Sequence, residues 1–219
     1  MTRRVTHGSV YNIQDMPGDS AASVERLAAT WGIPVGKEAS GRLELFIRKL
    51  LEWNKSVNLT GAKSLQDVVG EHLPDSFALA AIVPGRCAVV DVGAGGGLPG
   101  VPFAILCPEC EITLVEPRAK RVAFLNMVVR EIGSTSIRVI RARAGDVVSR
   151  GFSVACSRAT FKPEEWMEIG PRLLRADGRL VVFATSLPTQ PPVDMKLEQH
   201  RIYETAGGSP RWAGCYCFT

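Results

Sequence analysis

The sequence predicts an α/β fold in which a doubly wound, mostly parallel sheet carries an N-terminal helical extension. From Cys87 onward, short apolar runs alternate with helix-like segments, which is the pattern of a sheet covered by helices on both faces. Three helix-like segments precede Cys87, and a glycine-rich turn follows the first apolar run. The chain has 219 residues, of which 46% are hydrophobic, so it is long enough to bury one sizeable core.

Three parts are predicted along the chain. Residues 1–19 are polar and close with Pro17-Gly18-Asp19, so we expect a loose tail. Residues 20–84 are expected to form a helical extension packed on the core, and residues 85–219 to form the sheet domain. No run approaches the roughly eighteen apolar residues of a membrane span. Because no apolar stretch follows the basic start of the chain either, we expect no membrane partner and a cytoplasmic location.

Three helices are predicted in the extension. The first is capped by Ser23 and ends at Gly32, the second runs from about Ser40 to Asn54, and the third covers Ser64–Val83. Apolar residues recur in the second helix at the three- and four-residue spacing of one helical face. They are Leu43, Phe46, Ile47, Leu50 and Leu51. We expect this stripe to pack on the sheet domain.

The sheet is predicted from five apolar runs that are short enough to be buried strands. The runs are Cys87–Val92, Ile112–Glu116, Ile137–Ile140, Phe152–Cys156 and Arg179–Phe183. The helices predicted between them are Val101–Cys107, Lys120–Ile132 and Pro163–Leu174. A last stretch, from about Arg201 to Thr219, is expected to add an antiparallel pair at one edge. In such a sheet the ligand crevice lies at the carboxyl ends of the central strands, and the connections are right-handed.

The cysteines do not predict a metal site. The six cysteines include one C-x-x-C pair, Cys107 and Cys110, and one closely spaced pair, Cys215 and Cys217. A zinc site would need these two distant pairs to converge. We therefore interpret the cysteines as small apolar side chains of a reducing compartment, and we expect no metal.

The most informative segment is residues 91–100, Asp-Val-Gly-Ala-Gly-Gly-Gly-Leu-Pro-Gly, which follows the first strand. Glycines there let the backbone approach a nucleotide-like ligand closely. The segment Gly95–Gly100 also fits the dinucleotide pattern G-x-G-x-x-G, but Asp91 would repel a pyrophosphate. S-adenosylmethionine has no phosphate and carries an amino group and a sulfonium, so an acid suits it. We expect Asp91 and the loop residues Gly93, Gly95, Gly97 and Leu98 to bind this cofactor.

Two further segments predict a nucleoside at the same sheet edge. Glu116 ends the second strand, where a carboxylate can accept hydrogen bonds from both ribose hydroxyls. That feature also serves NAD, so a nicotinamide-dependent oxidoreductase stays an alternative. Ala144 and Gly145 follow the third strand, and we expect this small backbone segment to border the adenine.

Taken together, these segments resemble the family of small-subunit ribosomal RNA guanine-N-7 methyltransferases, also called glucose-inhibited division protein B. The resemblance covers about residues 40–185 and depends on the combination and spacing of four stretches. They are Asn58-Leu59-Thr60 with His72 and Asp75-Ser76, then Asp91–Gly100, then Lys120-Arg121 with Phe124-Leu125, and finally Ser157-Arg158-Ala159. The resemblance implies a Rossmann-like methyltransferase sheet and methyl transfer from S-adenosyl-L-methionine to N-7 of a guanine in 16S ribosomal RNA.

The resemblance also implies roles for individual residues. The residues implied to border the cofactor are Gly93, Leu98, Ala144, Gly145 and Arg158. The residues implied to lie near the RNA or the target base are Asn58, His72, Lys120, Arg121, Arg143 and Arg158. We expect Arg158, Arg143, His72 and Asn58 to serve the catalytic step, and Lys120, Arg121 and Arg143 to bind RNA. The expected partner is 16S ribosomal RNA or the small subunit, bound by a monomer.

The chain departs from the family pattern after its fifth predicted strand. The family usually has a Lys-Gly pair there, whereas this chain has Ala184-Thr185-Ser186, and it also lacks the basic carboxyl end of the family. Gly145 stands where the family has an acid, with Asp146 next to it. A ribosome-assembly or RNA-binding factor that keeps the fold without turnover is therefore a second alternative.

Basic residues are concentrated between positions 118 and 158. They are Arg118, Lys120, Arg121, Arg130, Arg138, Arg141, Arg143, Arg150 and Arg158, against the acidic residues Glu131 and Asp146. We expect this segment to form much of the surface that contacts RNA. The alternative is a solvated helix face with scattered surface arginines.

Overall fold

A computed structural model describes residues 20–147, 151–188 and 190–219. The predicted tail, residues 1–19, and Arg150 of the basic segment lie outside the described residues. None of the described helices is both long enough and apolar enough to cross a bilayer.

Seven strands form one sheet in the order β3-β2-β1-β4-β5-β7-β6. The strands are β1 (Ala88–Val92), β2 (Glu111–Val115), β3 (Ile137–Ile140), β4 (Phe152–Ser157), β5 (Leu174–Ala184), β6 (Met195–Glu204) and β7 (Pro210–Phe218). β1 to β5 run parallel, and β7 pairs antiparallel with both β5 and β6. The carboxyl ends of the central strands β1 and β4 therefore lie side by side, which is where a doubly wound sheet binds its ligand.

Helices of the extension and the sheet domain complete the chain. They are α1 (Ser20–Trp31), α2 (Lys37–Val57), α3 (Leu65–Asp67), α4 (Leu73–Ile82), α5 (Gly100–Leu106), α6 (Ala119–Glu131) and α7 (Pro163–Ile169). A π-helical turn (Val68–His72) joins α3 to α4, and 3-10 turns cover Ala144–Asp146 and Gly170–Leu173. The predicted α/β sheet, with its antiparallel pair at one edge, is confirmed, although that pair begins at Met195 and not near Arg201.

The third predicted helix is interrupted, and Pro74 accounts for the break. Ser64 does begin this segment, where it forms a capping box with Asp67. Proline has no N–H to bond the carbonyl four residues before it, which is that of Gly70. The Gly70 carbonyl accepts instead from the amide of Ala206, which lies in the turn between β6 and β7. The break places His72 at the start of α4, where it contacts Arg158, the residue that follows β4.

Two other helices were predicted with wrong boundaries, one at its start and one at its C-terminal end. Ser23 does not cap α1, because the helix already begins at Ser20 and Ser23 is buried within it. The helix predicted over Pro163–Leu174 ends as an α-helix at Ile169, where Gly170 and Pro171 begin a 3-10 turn. Proline at that point cannot continue the hydrogen-bond ladder of the helix.

The apolar stripe of α2 lies in the main core. Leu43, Phe46, Ile47 and Leu50 are fully buried and belong to the same cluster as residues of α5, α6 and the sheet. Leu51 is half-buried and packs against this cluster. Side chains of the extension and of the sheet domain thus share one core, which holds α4 and His72 in a fixed place against the end of β4.

Candidate active site

The glycine-rich segment 91–100 forms a tight turn from the end of β1 into α5. The amides of Gly93 and Ala94 both donate to the carbonyl of Val115, the last residue of β2, at 2.8 and 3.0 Å. Gly93, Gly95 and Gly97 adopt positive φ values of 77°, 57° and 82°. Left-handed backbone of this kind favours glycine. The turn is therefore tied to the neighbouring strand and has a shape that the sequence pattern anticipates.

The space beside these glycines is filled mostly by side chains of the protein itself. A small residue at such a position is therefore required by the packing of the fold, whether or not a ligand binds nearby. A Cβ at Gly93 would collide with the side chain of Thr160, whose hydroxyl donates to the Gly93 carbonyl at 3.1 Å. Gly97 is closed in by core side chains in the same way, whereas at Gly95 a Cβ would meet only ordinary contacts. That a glycine here makes room for a ligand stays a prediction for Gly95. At Gly93 the small residue makes room for the loop that follows β4.

Asp91 lies inside the turn with one carboxylate oxygen unused. Its Oδ2 accepts from the amide of Gly100 at 3.1 Å, while Oδ1 is buried and has no hydrogen-bond partner among the described residues. Burial raises the pKa of Asp91 to about 7. An unpaired buried carboxylate oxygen is costly unless a donor reaches it. The ammonium group of S-adenosylmethionine is such a donor, directly or through water, so this residue fits that cofactor.

Glu116 is held at the end of β2 by backbone donors. Its Oε2 accepts from the amide of Gly95 at 3.0 Å, and its Oε1 accepts from that of Arg118 at 2.9 Å. Nη1 of Arg121 lies 3.9 Å from Oε2 of Glu116. Each carboxylate oxygen can accept a second hydrogen bond, so Glu116 keeps the capacity to bind two ribose hydroxyls. Its fixed orientation supports the predicted nucleoside position beside the turn.

Arg158 is the centre of a hydrogen-bonded network at the end of β4. Its Nη1 donates to Asp75 Oδ2 at 2.7 Å, and the other oxygen of Asp75 accepts from the hydroxyl of Tyr203 at 2.6 Å. Nη1 also lies 3.5 Å from the carbonyl of His72. The side chains of Arg158 and Asp75 are only 17% and 4% exposed, so this pair is well shielded from water. A guanidinium held in this way presents its remaining donors in one direction.

His72 supports Arg158 and is not free to meet a base with its ring nitrogens. Nη2 of Arg158 lies 3.3 Å from Nδ1, and the hydroxyl of Thr60 lies 2.8 Å from Nε2. Because a guanidinium only donates, Nδ1 must accept, and the proton of a neutral imidazole then sits on Nε2 and is donated to Thr60. Both ring nitrogens of His72 are thus engaged by protein groups, and its expected part in the catalytic step stays a prediction.

The pH dependence of stability provides a test of this arrangement. Burial and the nearby Arg158 lower the pKa of His72 to about 4, from 6.5 in an unfolded chain. The unfolded state therefore takes up a proton between about pH 6.5 and 4 while the folded state does not, and stability falls as the pH falls through that range. We expect His72 to account for roughly 3 kcal/mol of this loss. Urea unfolding from pH 7 to 4.5 should show a flatter dependence in His72→Gln, and parallel curves would contradict the buried neutral imidazole.

The Arg158 network opens into a cavity of about 340 Å³ at the mouth of β4 and β5. Its wall includes the aromatic rings of Phe161 and Phe183, and Thr185 at the position of the missing family lysine. A second guanidinium, that of Arg211 on β7, also lines it, and its Nε is buried without a partner among the described residues. No sequence motif indicates Arg211, since it reaches the cavity only through the antiparallel pairing of β7 with β5 and β6.

Several predicted site residues lie outside this cavity. Arg143 lines a separate cavity beside β2 and β3, near the half-buried Ala144 and the exposed Gly145. Lys120 is exposed at the start of α6. Asn58 is exposed at the C-terminal end of α2 in the left-handed conformation, and its carbonyl accepts from Arg121 at 3.2 Å. The cofactor role of Ala144 and Gly145 and the RNA roles of Asn58, Lys120 and Arg121 stay predictions.

Comparison with solved structures supports the fold. A SAM-dependent methyltransferase from Aquifex aeolicus superposes with a TM-score of 0.54 over 79% of this chain and 98% of its own, at 12% identity. The TYW2 protein of M. jannaschii, in complex with AdoMet, superposes with a TM-score of 0.52 over 67% of this chain and 75% of its own, at 14% identity. At these identities the likeness concerns the fold alone.

Comparison with known sequences is more specific. The Ribosomal RNA small subunit methyltransferase G of Anaeromyxobacter sp. (strain Fw109-5) is 38% identical over 164 residues, 73% of this chain and 75% of that relative. The protein of the same name from Neisseria meningitidis serogroup B is 33% identical over 150 residues, 68% of this chain and 72% of its own. The fold, the glycine turn and these relatives define an S-adenosylmethionine-dependent methyltransferase. The chain belongs to the rRNA small subunit methyltransferase G family, whose model matches residues 40–190.

Replacing Gly93 tests the glycine turn. In Gly93→Val the side chain would strain a backbone with φ of 77° and push Thr160 away from the turn. We expect the affinity for S-adenosylmethionine, measured by calorimetry, to fall at least about tenfold. Gly133→Val is the matched control, because Gly133 also has a positive φ but a Cβ there would meet nothing. A folded Gly93→Val protein with unchanged affinity would show that the turn does not bind the cofactor.

Proposed function

We propose that this chain transfers the methyl group of S-adenosylmethionine to the N-7 atom of a guanine in the 16S ribosomal RNA of the small subunit. The observation that carries the proposal is the cavity in which Arg158, held by Asp75 and His72, lies next to the glycine turn. Ser157 Oγ donates to the Val92 carbonyl at 2.7 Å, and Thr160 Oγ1 to that of Gly93, so the two loops are joined. A base in the cavity would thus lie beside a cofactor in the turn.

The cofactor site would be built by the ends of β1 and β2. Bound S-adenosylmethionine supplies a methyl group on a sulfonium, which is an electrophile that needs no further activation. Asp91 would take up its ammonium group, and Glu116, fixed by the amides of Gly95 and Arg118, would bind its ribose. These contacts fix where the methyl group points, and such orientation can supply several kcal/mol of the barrier.

On the RNA side, Arg158 would orient the guanine. Its free donors suit an oxygen acceptor such as O6 of the base. The purine becomes positively charged as N-7 accepts a methyl group, so a bare cation beside it would oppose the reaction. The carboxylate of Asp75, 2.7 Å from Nη1, offsets the charge of the guanidinium. The pair can therefore hold the base without adding net positive charge to the cavity.

A general base is not required for this chemistry. N-7 of guanine has a free lone pair and no proton, so transfer leaves no proton to remove from that atom. The carboxylate that lines the cavity, Asp75, is already engaged by Arg158 and Tyr203. A residue engaged on both oxygens is poorly suited to accept a proton. The cavity therefore favours an unprotonated nucleophile such as N-7 over an exocyclic amine.

The direct test is transfer by the purified protein. The chain is incubated with S-adenosylmethionine and with 16S rRNA or small subunits from a strain that lacks this modification, and the RNA nucleosides are analysed by mass spectrometry. The expected product is 7-methylguanosine, up to one per RNA molecule. Methylation of another atom, or of no nucleoside, would overturn the proposal.

Thr185 favours a second candidate. Because it stands in the cavity where family members usually have a lysine, a factor that binds RNA and cofactor without transfer remains an alternative. Binding of both ligands without any product would support it. We also propose that the protein acts as a monomer, and that it acts in the cytoplasm, where its proposed 16S rRNA substrate is found. Light scattering and cell fractionation test these two points.

A further inference from the structure

The strand β6 lies at the edge of the sheet and is joined to α4 by alternate side chains. Gln199 and Arg201 donate to backbone carbonyls in the last turn of α4. The hydroxyl of Tyr203 donates to Oδ1 of Asp75, in the first turn of the same helix, at 2.6 Å. Because every second residue of a strand lies on the same face, these three side chains together fasten β6 along α4.

The ring of Tyr203 is fixed by aromatic contacts to the extension. Tyr203 is only 5% exposed, although its two neighbours in the strand are exposed. Its ring meets that of Trp31, at the end of α1, edge to face with centroids 5.2 Å apart. Trp31 in turn stacks on Phe77 of α4 at 6.5 Å. The hydroxyl of Tyr203 is thus aimed at Asp75 by packing that involves α1, α4 and β6.

The geometry of Asp75 explains why this donor matters for the cavity. Arg158 binds Asp75 through one pair of atoms, Nη1 and Oδ2, at 2.7 Å. A carboxylate bound through one oxygen can still turn about its Cβ–Cγ bond, and the guanidinium would turn with it. A donor on Oδ1 stops that rotation and satisfies an oxygen that would be costly to leave unpaired in a buried place.

Tyr203 is suited to this task because it stays a donor. Burial of the hydroxyl and the neighbouring carboxylate of Asp75 raise the pKa of Tyr203 well above its usual value. The phenol is therefore neutral near neutral pH and keeps the proton that it donates to Asp75. Since that proton is engaged, Tyr203 acts on Asp75 and not on a bound base, even though its side chain also lines the cavity.

We propose that Tyr203 is a positioning residue for the transfer reaction, since its hydroxyl fixes Asp75 and, through Asp75, the direction of the Arg158 guanidinium. The reaction itself rests on the proposed function above. Tyr203 and Trp31 both lie outside residues 40–190, the part of the chain that matches the family model. Segments on either side of the matched region thus complete the support of Arg158.

The kinetic test compares Tyr203→Phe with Tyr216→Phe. Tyr203→Phe keeps the ring against Trp31 and removes only the hydroxyl. Tyr216 is the matched control, because it is a buried tyrosine of the neighbouring strand β7 and does not line the cavity. For Tyr203→Phe we expect kcat for methyl transfer to fall about tenfold. The affinity for S-adenosylmethionine, measured by calorimetry, and the activity of Tyr216→Phe should stay within about twofold of the wild type.

A double-mutant cycle separates positioning from a loss of folded structure. Tyr203→Phe is also introduced into Arg158→Ala, which lacks the group through which Tyr203 would act. There it should change kcat less than about twofold, because two residues that act through one contact are not additive. A merely structural role of Tyr203 would lower kcat by the same factor in both backgrounds, and that result would overturn the proposal.

Nuclear magnetic resonance of protein labelled with nitrogen-15 arginine tests the same point without turnover. The Arg158 signals are identified by their absence in Arg158→Ala. A held guanidinium gives separate signals for its two Nη atoms, whereas a rotating one gives a single averaged signal. We expect separate signals in the wild type and in Tyr216→Phe, and an averaged signal in Tyr203→Phe. Separate signals in Tyr203→Phe would overturn the proposal, whereas a wild-type protein that made no 7-methylguanosine would count against the proposed function alone.

Discussion

Replacing Arg158 by alanine is expected to lower kcat/KM for methyl transfer to 16S rRNA by at least about a hundredfold, which corresponds to roughly 2.7 kcal/mol. The variant removes the donors that orient the base, and it leaves Asp75 with an uncompensated charge in the cavity. A lost charged hydrogen bond contributes about 1.5–3 kcal/mol, and loss of orientation adds to it. Arg158→Lys should restore only part of the activity, because an ammonium cannot reproduce the planar geometry of the guanidinium.

Folding and cofactor binding need to be separated from transfer in this experiment. Breaking the shielded pair with Asp75 lowers stability, so each variant is assayed below its unfolding temperature and its affinity for S-adenosylmethionine is measured independently. Arg130→Ala, at the exposed end of α6, is the control for loss of a positive charge. If folded Arg158→Ala protein kept kcat/KM within about threefold of the wild type, Arg158 would not orient the base and the assignment of the cavity would fail.

Deleting residues 1–84 is expected to abolish cooperative folding of the remainder. The deleted helices contribute Leu43, Phe46, Ile47 and Leu50 to the core that also contains side chains of α5, α6 and the sheet. A fragment of residues 85–219 would expose a large apolar patch and should be recovered mainly as aggregate. It would also lack His72 and Asp75, so Arg158 would lose its partners. Circular dichroism and urea unfolding of the fragment test this expectation.

If the fragment is insoluble, a point variant measures how much the packing of α2 on the sheet domain contributes to stability. Phe46→Ala should lower the free energy of unfolding by about 3–5 kcal/mol, because Phe46 is fully buried among core side chains. Leu51→Ala is the matched control from the same helix, since Leu51 is only half-buried, and its cost should be clearly smaller. A soluble fragment 85–219 with a sigmoidal urea transition would contradict the shared core and would favour an independent helical module.

Much of the fold could be predicted because its elements follow local rules. The alternation of short apolar runs with helices predicts a parallel sheet, and β3 was predicted to the residue. The predictions that were wrong concern features that depend on contacts between residues distant in sequence. Pro74 breaks the third helix, and the carbonyl that it leaves free is satisfied by Ala206, over a hundred residues away. No periodicity within the helix signals that partner.

The site shows the same division between local and distant information. Asp91, Glu116, Arg158 and His72 could be named from motifs, and the turn does bring Asp91 and Glu116 to its two sides. Their hydrogen bonds could not be predicted, because Arg158 and His72 meet only when the fold brings the end of β4 next to the start of α4. The charge pattern of residues 118–158 also predicted a shared surface for RNA, but the fold gives its arginines different partners. The basic segment is divided in the fold, with Arg121 bound to Asn58 and Arg158 bound to Asp75.

The most direct test of methyl transfer to N-7 of a guanine is made on ribosomal RNA from cells. 16S rRNA is isolated from the source strain, from a strain in which the gene is deleted, and from deletion strains that carry the wild-type gene or the Arg158→Ala variant. Borohydride reduction with aniline cleavage and mass spectrometry then locate 7-methylguanosine. We predict one guanine that is methylated in the parent strain, unmethylated in the deletion strain, restored by the wild-type gene and not by Arg158→Ala. Identical 7-methylguanosine patterns in parent and deletion strains would contradict the proposed function.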